Sequence, residues 1–87
     1  MKDVAERGGY RLYQYEWGTL RRVLGNTFNT TEEVYEHLDV IVKHYPESVK
    51  RWQFVLVQHF NTTAVGSRIR AIISFDENAL MKVTTVE

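Results

Sequence analysis

Aromatic and basic side chains crowd the first quarter of the chain, and they are the residues best suited to binding. Residues 10–22 read YRLYQYEWGTLRR. Aromatic rings provide stacking platforms for unpaired bases and guanidinium groups pair with phosphates, while Tyr, Trp and Arg are also enriched at protein interfaces. The cluster therefore predicts a binding surface for a protein or for a single-stranded nucleic acid, formed by Tyr13, Tyr15, Trp17, Arg21 and Arg22.

A second candidate surface is acidic. It consists of Glu32, Glu36 and Asp39, which fall in a segment with a single basic residue, Lys43. Such a surface suits a basic partner protein. The whole chain has 11 basic and 11 acidic residues and a net charge of zero, so it lacks the global field that drives non-specific binding to nucleic acid.

Residues with catalytic potential do not form a recognisable set. Glu33 and His37 are four residues apart and His44 lies two turns further on, but the HExxH pattern of zinc enzymes is absent. The serines lie in no nucleophile motif, Gly8-Gly9 lacks the remainder of a phosphate loop, and the chain has no cysteine. We therefore expect no catalytic residues, no metal and no cofactor.

One helix is predicted with both of its ends. Thr30 and Glu33 form a capping box, in which the Thr hydroxyl accepts from the Glu33 N–H and the Glu33 carboxylate accepts from the Thr30 N–H. Pro46 prevents continuation of the helix. The apolar residues between them repeat at helical spacing and predict one buried stripe: Val34, Leu38, Ile41, Val42 and Tyr45.

The aromatic cluster is predicted to lie on a hairpin that turns at Trp17-Gly18. In the expected register, Tyr15 pairs with Leu20, Tyr13 with Arg22 and Arg11 with Leu24. That register gathers one surface, expected to face the helix, from Tyr13, Tyr15, Leu20 and Leu24. The alternative for residues 19–25 is a short helix closed by Gly25.

The segment after Pro46 contains the apolar run Phe54 to Val57, which is typical of a strand covered on both sides. A second helix over residues 46–60 is the alternative, since Pro is tolerated at the first helical position. The last third predicts another hairpin, with a three-residue loop from Asp76 to Asn78 that pairs Phe75 with Ala79. Its opposite side is expected to face solvent or a partner and carries Arg68, Arg70, Ser74, Lys82 and Thr84.

These elements predict an α+β fold: a small antiparallel sheet in the order ββαβββ, with one amphipathic helix packed across one face. We expect a flexible N-terminal segment at residues 1–9 and a single domain at residues 10–87. No apolar run reaches the length needed to span a bilayer, and the lack of cysteine fits the reducing cytoplasm. So small a core also favours homo-oligomer formation.

The preferred functional hypothesis is a non-catalytic protein-interaction module, a small intracellular adaptor, regulator or inhibitor of a larger protein. The alternative is a single-stranded nucleic-acid-binding module that uses the first hairpin together with Lys50 and Arg51. Nucleic-acid binding would weaken steeply with added salt, whereas an interface centred on Tyr and Trp would respond much less.

Overall fold

A computed structural model describes residues 9–59 and 66–86 of the chain. Within these residues the α+β fold is confirmed, with one five-stranded antiparallel sheet and one α-helix in the order ββαβββ. The strands are β1 (Tyr10–Glu16), β2 (Thr19–Phe28), β3 (Trp52–His59), β4 (Ser67–Phe75) and β5 (Met81–Thr85). Across the sheet their order is β2-β1-β3-β4-β5, so β3 is central.

The helix, α1 (Thr31–His44), begins and ends where the sequence predicts. The Thr30 hydroxyl accepts from the Glu33 N–H at 3.2 Å, but the Glu33 carboxylate accepts from the N–H of Asn29 at 2.9 Å and not from that of Thr30. At the other end, the Tyr45 N–H donates to the Ile41 carbonyl at 2.8 Å. The helix buries Val34, Leu38 and Ile41, whereas Tyr45 remains half exposed.

The helix covers only one side of the sheet, which we call the helix side. It lies mainly over β1 and β2, while a short 3₁₀ helix (Ser48–Arg51) lies against β3 and β4. The core between these layers has an aromatic edge-to-face pair at its centre, with the Phe54 and Phe75 rings 6.1 Å apart. Its other buried members are Leu12, Leu24, Val34, Leu38, Ile41, Val49, Leu56, Ala71 and Ile73.

Both ambiguous segments contain strands. Residues 19–25 belong to β2, and residues 46–60 contain the 3₁₀ helix followed by β3. The β-branched and aromatic content of these segments agrees with this outcome. The described helices lie on the helix side alone, so the cover expected on the opposite side of β3 is not among the described elements.

The first hairpin turns at Trp17-Gly18 as predicted, but its faces differ from the expected ones. Tyr15 does pair with Leu20, yet Arg21 is an extra residue in a β-bulge, so Tyr13 pairs with Val23. Side chains of directly paired residues share one face of a sheet. Leu12 and Leu24 therefore face the helix, and the prediction that Tyr13, Tyr15 and Leu20 do so is wrong.

The second hairpin has a longer loop than predicted. Phe75 pairs with Met81, two residues beyond the expected Ala79, and residues 76–80 form the loop. The Asp76 carboxylate closes it by accepting from the N–H groups of Asn78 at 2.8 Å and Leu80 at 2.9 Å. A shift of two residues preserves the faces of a strand, so the apolar surface of this hairpin forms as predicted.

A second β-bulge, in β4, changes the position of two arginines. Leu56 pairs with Ala71 and Val57 with Ile69, which leaves Arg70 as the extra residue. The bulge brings Arg68 opposite Gln58 on the helix side, and both arginines line a cavity there. Their predicted position beside Ser74, Lys82 and Thr84 on the other side is therefore wrong.

The predicted flexible segment lies outside the described residues, apart from Gly9. The Gly9 carbonyl accepts from the His59 N–H at 2.8 Å, which extends the pairing of β1 with β3. Within the described ranges, no helix is long and apolar enough to cross a membrane.

Candidate binding surface

The side of the sheet opposite the helix, which we call the open face, carries a broad group of apolar and aromatic residues. Its central row runs across all five strands as Val23, Tyr13, Val55, Ile72 and Thr84. A second row joins Leu20, Tyr15, Gln53, Ser74 and Lys82, and a third joins Arg11, Val57 and Ile69. Antiparallel sheets that contact water on one side normally have polar residues there.

No element in the described part of the chain packs on the open face. Leu20 and Ile69 are each 47% exposed, while Val55 and Ile72 are half-buried among their neighbours on the sheet. Val57 is buried between Arg11 and Ile69. A contiguous apolar patch of this kind is unusual on the surface of a monomer and often marks an interaction site.

The charge of the open face is positive. Arg11 lies in one outer row and Lys82 at the end of another, and no Asp or Glu occurs among the described residues of these rows. The acidic end of β1 does not contribute, because Glu16 pairs with Thr19 and Trp52 on the helix side. The face therefore combines an apolar centre with basic margins.

Trp17 stands at the tip of the first hairpin and is 79% exposed. Its φ of 54° and the φ of 79° at Gly18 are those of a type I′ turn. This turn favours Asn or Gly at the first position, since a bulky L-residue is strained in the left-handed region. A large aromatic residue is thus held in water in an unfavourable backbone conformation.

Arg21 and Arg22 do not join the tyrosines on one surface. The Arg22 Nε donates to the Gln14 side chain at 2.9 Å, and Gln14 is buried on the helix side. The Arg21 Nε donates to the Glu16 carboxylate at 3.3 Å. Of the predicted hairpin surface, Tyr13 and Tyr15 lie on the open face and Trp17 lies at the hairpin tip.

The acidic candidates lie on the other side of the molecule. Glu32, Glu36 and Asp39 are exposed on α1, which packs on the helix side of the sheet. The sheet therefore separates them from the tyrosines. They form an independent surface rather than part of the open face.

The pKa values of Glu16 and Asp76 are lowered by hydrogen bonds and charges within the fold. Hydrogen bonding by Arg51, together with the charges of Arg21 and Arg51, lowers the pKa of Glu16. Hydrogen bonds from the Leu80 and Asn78 N–H groups lower the pKa of Asp76. In each case the interactions that lower the pKa also stabilise one end of a hairpin.

His59 lies at the end of β3 and has a lowered pKa. Burial, with a smaller contribution from the charge of Arg11, lowers the pKa of its ring. Its Nε2 is buried without a hydrogen-bond partner in the described structure. Within residues 9–59 and 66–86, no three His, Cys, Asp or Glu side chains are grouped so that they can hold a metal ion.

Comparison with protein families, curated proteins and solved structures found no match to this chain. Its function is therefore inferred from its own residues.

The sequence identified the aromatic part of the open face but not its aliphatic part. Val23, Val55 and Ile72 were not predicted as site residues, although they complete the central row with Tyr13. The sequence signal for these aliphatic residues is the uninterrupted apolar run of β3. A strand with apolar residues on both faces buries each face against another layer. Among the described elements, only the helix side of this sheet has such a layer.

Proposed function

We propose that this protein is a non-catalytic interaction module whose open face is covered by another protein. The observation that supports this most is the central strand β3, which has Phe54 and Leu56 on the covered side and Val55 and Val57 on the open side. Domains bury the apolar face of a sheet against a second layer. The partner supplies that layer.

Binding on this face is favoured because it removes apolar surface from water at about 25 cal/mol per Å². Tyr13 in the central row and Tyr15 in the row beside it contribute large, rigid rings. Aromatic side chains of this type dominate the energies of protein interfaces. The open face therefore has the residue types of a protein-binding surface.

Trp17 extends the same surface at the hairpin tip. Strained backbone conformations persist where function maintains them, and an exposed Trp in a left-handed conformation is costly for folding alone. We assign Trp17 as a contact residue that inserts into an apolar pocket of the partner. Its strain is then offset by the contacts that it makes on binding.

The charge of the face indicates the chemistry of the partner. Arg11 and Lys82 are best complemented by carboxylates on the partner. A second copy of this chain, bound through the same face, would not supply them, because the described part of the face has no Asp or Glu. The partner is therefore a different protein, with an apolar surface bordered by Asp and Glu. In this role the protein is a small adaptor, regulator or inhibitor, and its lack of cysteine supports a cytosolic location.

The nucleic-acid alternative has less support. Arg21 and Arg51 both pair with Glu16, and Lys50 pairs with Glu47 at 3.0 Å. The basic residues left on the open face are Arg11 and Lys82 in the described structure. Affinity for single strands depends on the number of phosphates neutralised, so these few cations favour a protein partner.

The test compares two valine-to-lysine variants. Val55→Lys places a charge at the centre of the open face, and the control Val40→Lys makes the same change on α1, where Val40 is 50% exposed. Each variant, with the fold checked by circular dichroism, is used to capture proteins from lysate of the source organism, with and without nuclease treatment. The captured protein is then purified and its dissociation constant measured by calorimetry.

We expect Val55→Lys to weaken binding about tenfold or more, since it buries an unpaired charge in the interface, and Val40→Lys to leave it unchanged. Equal affinity of both variants would overturn the assignment of the open face. A wild-type dimer in sedimentation that Val55→Lys dissociates would identify a second copy as the occupant instead. Nucleic acid that co-purifies and is lost on nuclease treatment would favour the alternative.

A further inference from the structure

A cavity of about 460 Å³ lies on the helix side, where the first turns of α1 leave β4 and the end of β5 uncovered. It is separate from the open face, because the sheet lies between them. Its volume falls within the range of about 300 to 1,000 Å³ that is typical of small-molecule sites. Its lining residues are Thr31, Tyr35, Leu56, Arg68, Arg70, Ala71, Thr85 and Val86.

The lining has an apolar floor and a basic margin. Leu56 and Ala71, both buried, form part of the core beneath the cavity. Two arginines, Arg68 and Arg70, and two hydroxyl-bearing residues, Thr31 and Tyr35, are among the lining residues. None of the lining residues is acidic.

The β4 bulge explains why both arginines reach this cavity. In a regular strand, Arg68 and Arg70 would both lie on the side opposite Ala71, because side chains alternate. The bulge at Arg70 instead returns Arg68 to the helix side, opposite the buried Gln58. Bulges often serve to redirect a side chain at a functional site.

These arginines differ in their ion pairing from three other basic residues around the helix side. Arg21, Arg51 and Lys50 each have a carboxylate partner within 3.3 Å. Arg68 and Arg70 form no ion pair with any residue that the structure describes. Guanidinium groups bind carboxylates and phosphates through paired hydrogen bonds, so two of them beside an apolar floor select an anion with an apolar body.

We propose that this cavity, which we call the arginine cleft, binds a small organic anion. The ligand has a carboxylate or phosphate held by Arg68 and Arg70 and an apolar group that rests on Leu56 and Ala71. The Tyr35 and Thr31 hydroxyls contribute further hydrogen bonds to the anionic end. This site is independent of the protein partner proposed for the open face.

The experiment titrates the protein with four probes and follows backbone amide shifts by NMR. Benzoate and phenyl phosphate carry an anion on an apolar ring, benzamide is the uncharged match of benzoate, and inorganic phosphate lacks the ring. We expect saturable shifts at Thr31, Tyr35, Ala71 and Thr85 with benzoate or phenyl phosphate. The tighter of these two identifies the anionic group.

Matched variants separate the cleft from general charge effects. Arg68→Gln and Arg70→Gln should each weaken the tighter probe about tenfold or more, because each removes a charge-assisted hydrogen bond. Arg11→Gln and Lys82→Gln remove the same charge from the opposite side of the sheet and should leave the affinity for this probe unchanged. Both cleft arginines are exposed, so the variants are expected to fold, and circular dichroism checks this.

The proposal is overturned if benzamide binds as tightly as benzoate, or if inorganic phosphate binds as tightly as phenyl phosphate. It is equally overturned if Arg11→Gln weakens binding as much as Arg68→Gln does, or if no probe gives saturable shifts.

Discussion

The Nε of Arg51 donates to the Glu16 carboxylate across 3.1 Å, although the two residues are 35 positions apart in the sequence. The other oxygen of this carboxylate accepts from Arg21 at 3.3 Å. Glu16 thereby joins the end of β1 to the 3₁₀ helix and to the edge strand β2. It also neutralises two cations that the sequence alone suggests for nucleic-acid binding.

This pairing predicts an acid-dependent loss of stability. Arg51 and Arg21 hold the pKa of Glu16 below its usual 4.5, so the folded protein releases this proton more readily than the unfolded chain does. The contribution of Glu16 is complete above pH 4.5 and disappears as the pH falls through the lower pKa of the folded state.

As the pH falls below 4.5, the melting temperature of Glu16→Gln should therefore decrease less steeply than that of the wild type. Glu77→Gln, at an exposed loop position, controls for the change in net charge. Melting curves followed by circular dichroism at several pH values make the comparison. Identical pH profiles for wild type and Glu16→Gln would contradict the prediction.

Trp17→Asn should raise stability and lower partner affinity together. Asn is favoured at the first position of a type I′ turn, and relief of the left-handed Trp is worth about 1 kcal/mol, or about 4 to 8 °C in melting temperature. Loss of the ring should weaken partner binding by about 2 kcal/mol or more if Trp17 is a central contact. Thermal melting and calorimetry measure the two effects.

Leu80→Asn, a change at another exposed apolar residue, is the control for the Trp17 experiment and should leave partner affinity unchanged. Partner affinity that survives Trp17→Asn would remove Trp17 from the interface.

Leu38→Ala should destabilise the fold by about 2 to 5 kcal/mol, because Leu38 is completely buried between α1 and the sheet. Val40→Ala is the matched control on the same helix, since half of Val40 contacts solvent, and should cost less than about 1 kcal/mol. Urea unfolding curves give both values. A near-neutral Leu38→Ala would mean that α1 packs through a different face.

His59 predicts a second effect of pH. Burial, aided by the charge of Arg11, lowers its pKa from the usual 6.5, so the unfolded chain takes up this proton first as the pH falls. Stability should therefore decline below pH 6.5 and level off once the folded state is also protonated.

His59→Gln should remove this step from the plot of melting temperature against pH, and Arg11→Gln should shrink it by raising the pKa of His59 towards its usual value. A step that persists in His59→Gln would belong to another group.

Local signals were sufficient for the helix and the first turn. The Thr30 cap, Pro46 and the Trp17-Gly18 pair each act within a few residues of the boundary that they set, so the sequence predicts these boundaries well. The Glu33 carboxylate accepts from the Asn29 N–H rather than the Thr30 N–H, a difference of one residue that the sequence pattern does not specify.

The faces of the strands depended on non-local structure. A bulge forms only when a strand meets a partner in a given register, and neither Arg21 nor Arg70 differs in type from its regular neighbours Arg22 and Arg68. One extra residue reverses the side of every residue beyond it. The sequence therefore named Tyr13 and Tyr15 but placed them on the wrong side of the sheet, and it missed the arginine cleft entirely.

The β4 bulge also bears on how this chain tolerates change over evolution. Because Arg70 is the extra residue, its deletion leaves Ile69 opposite Val57 and Ala71 opposite Leu56, and the ladder of hydrogen bonds becomes regular. Loss of one codon here is expected to keep every other side chain on its present face. Homologues with a one-residue alignment gap at this position would therefore lack Arg70 and retain only Arg68. They would have the same fold as homologues that keep both arginines.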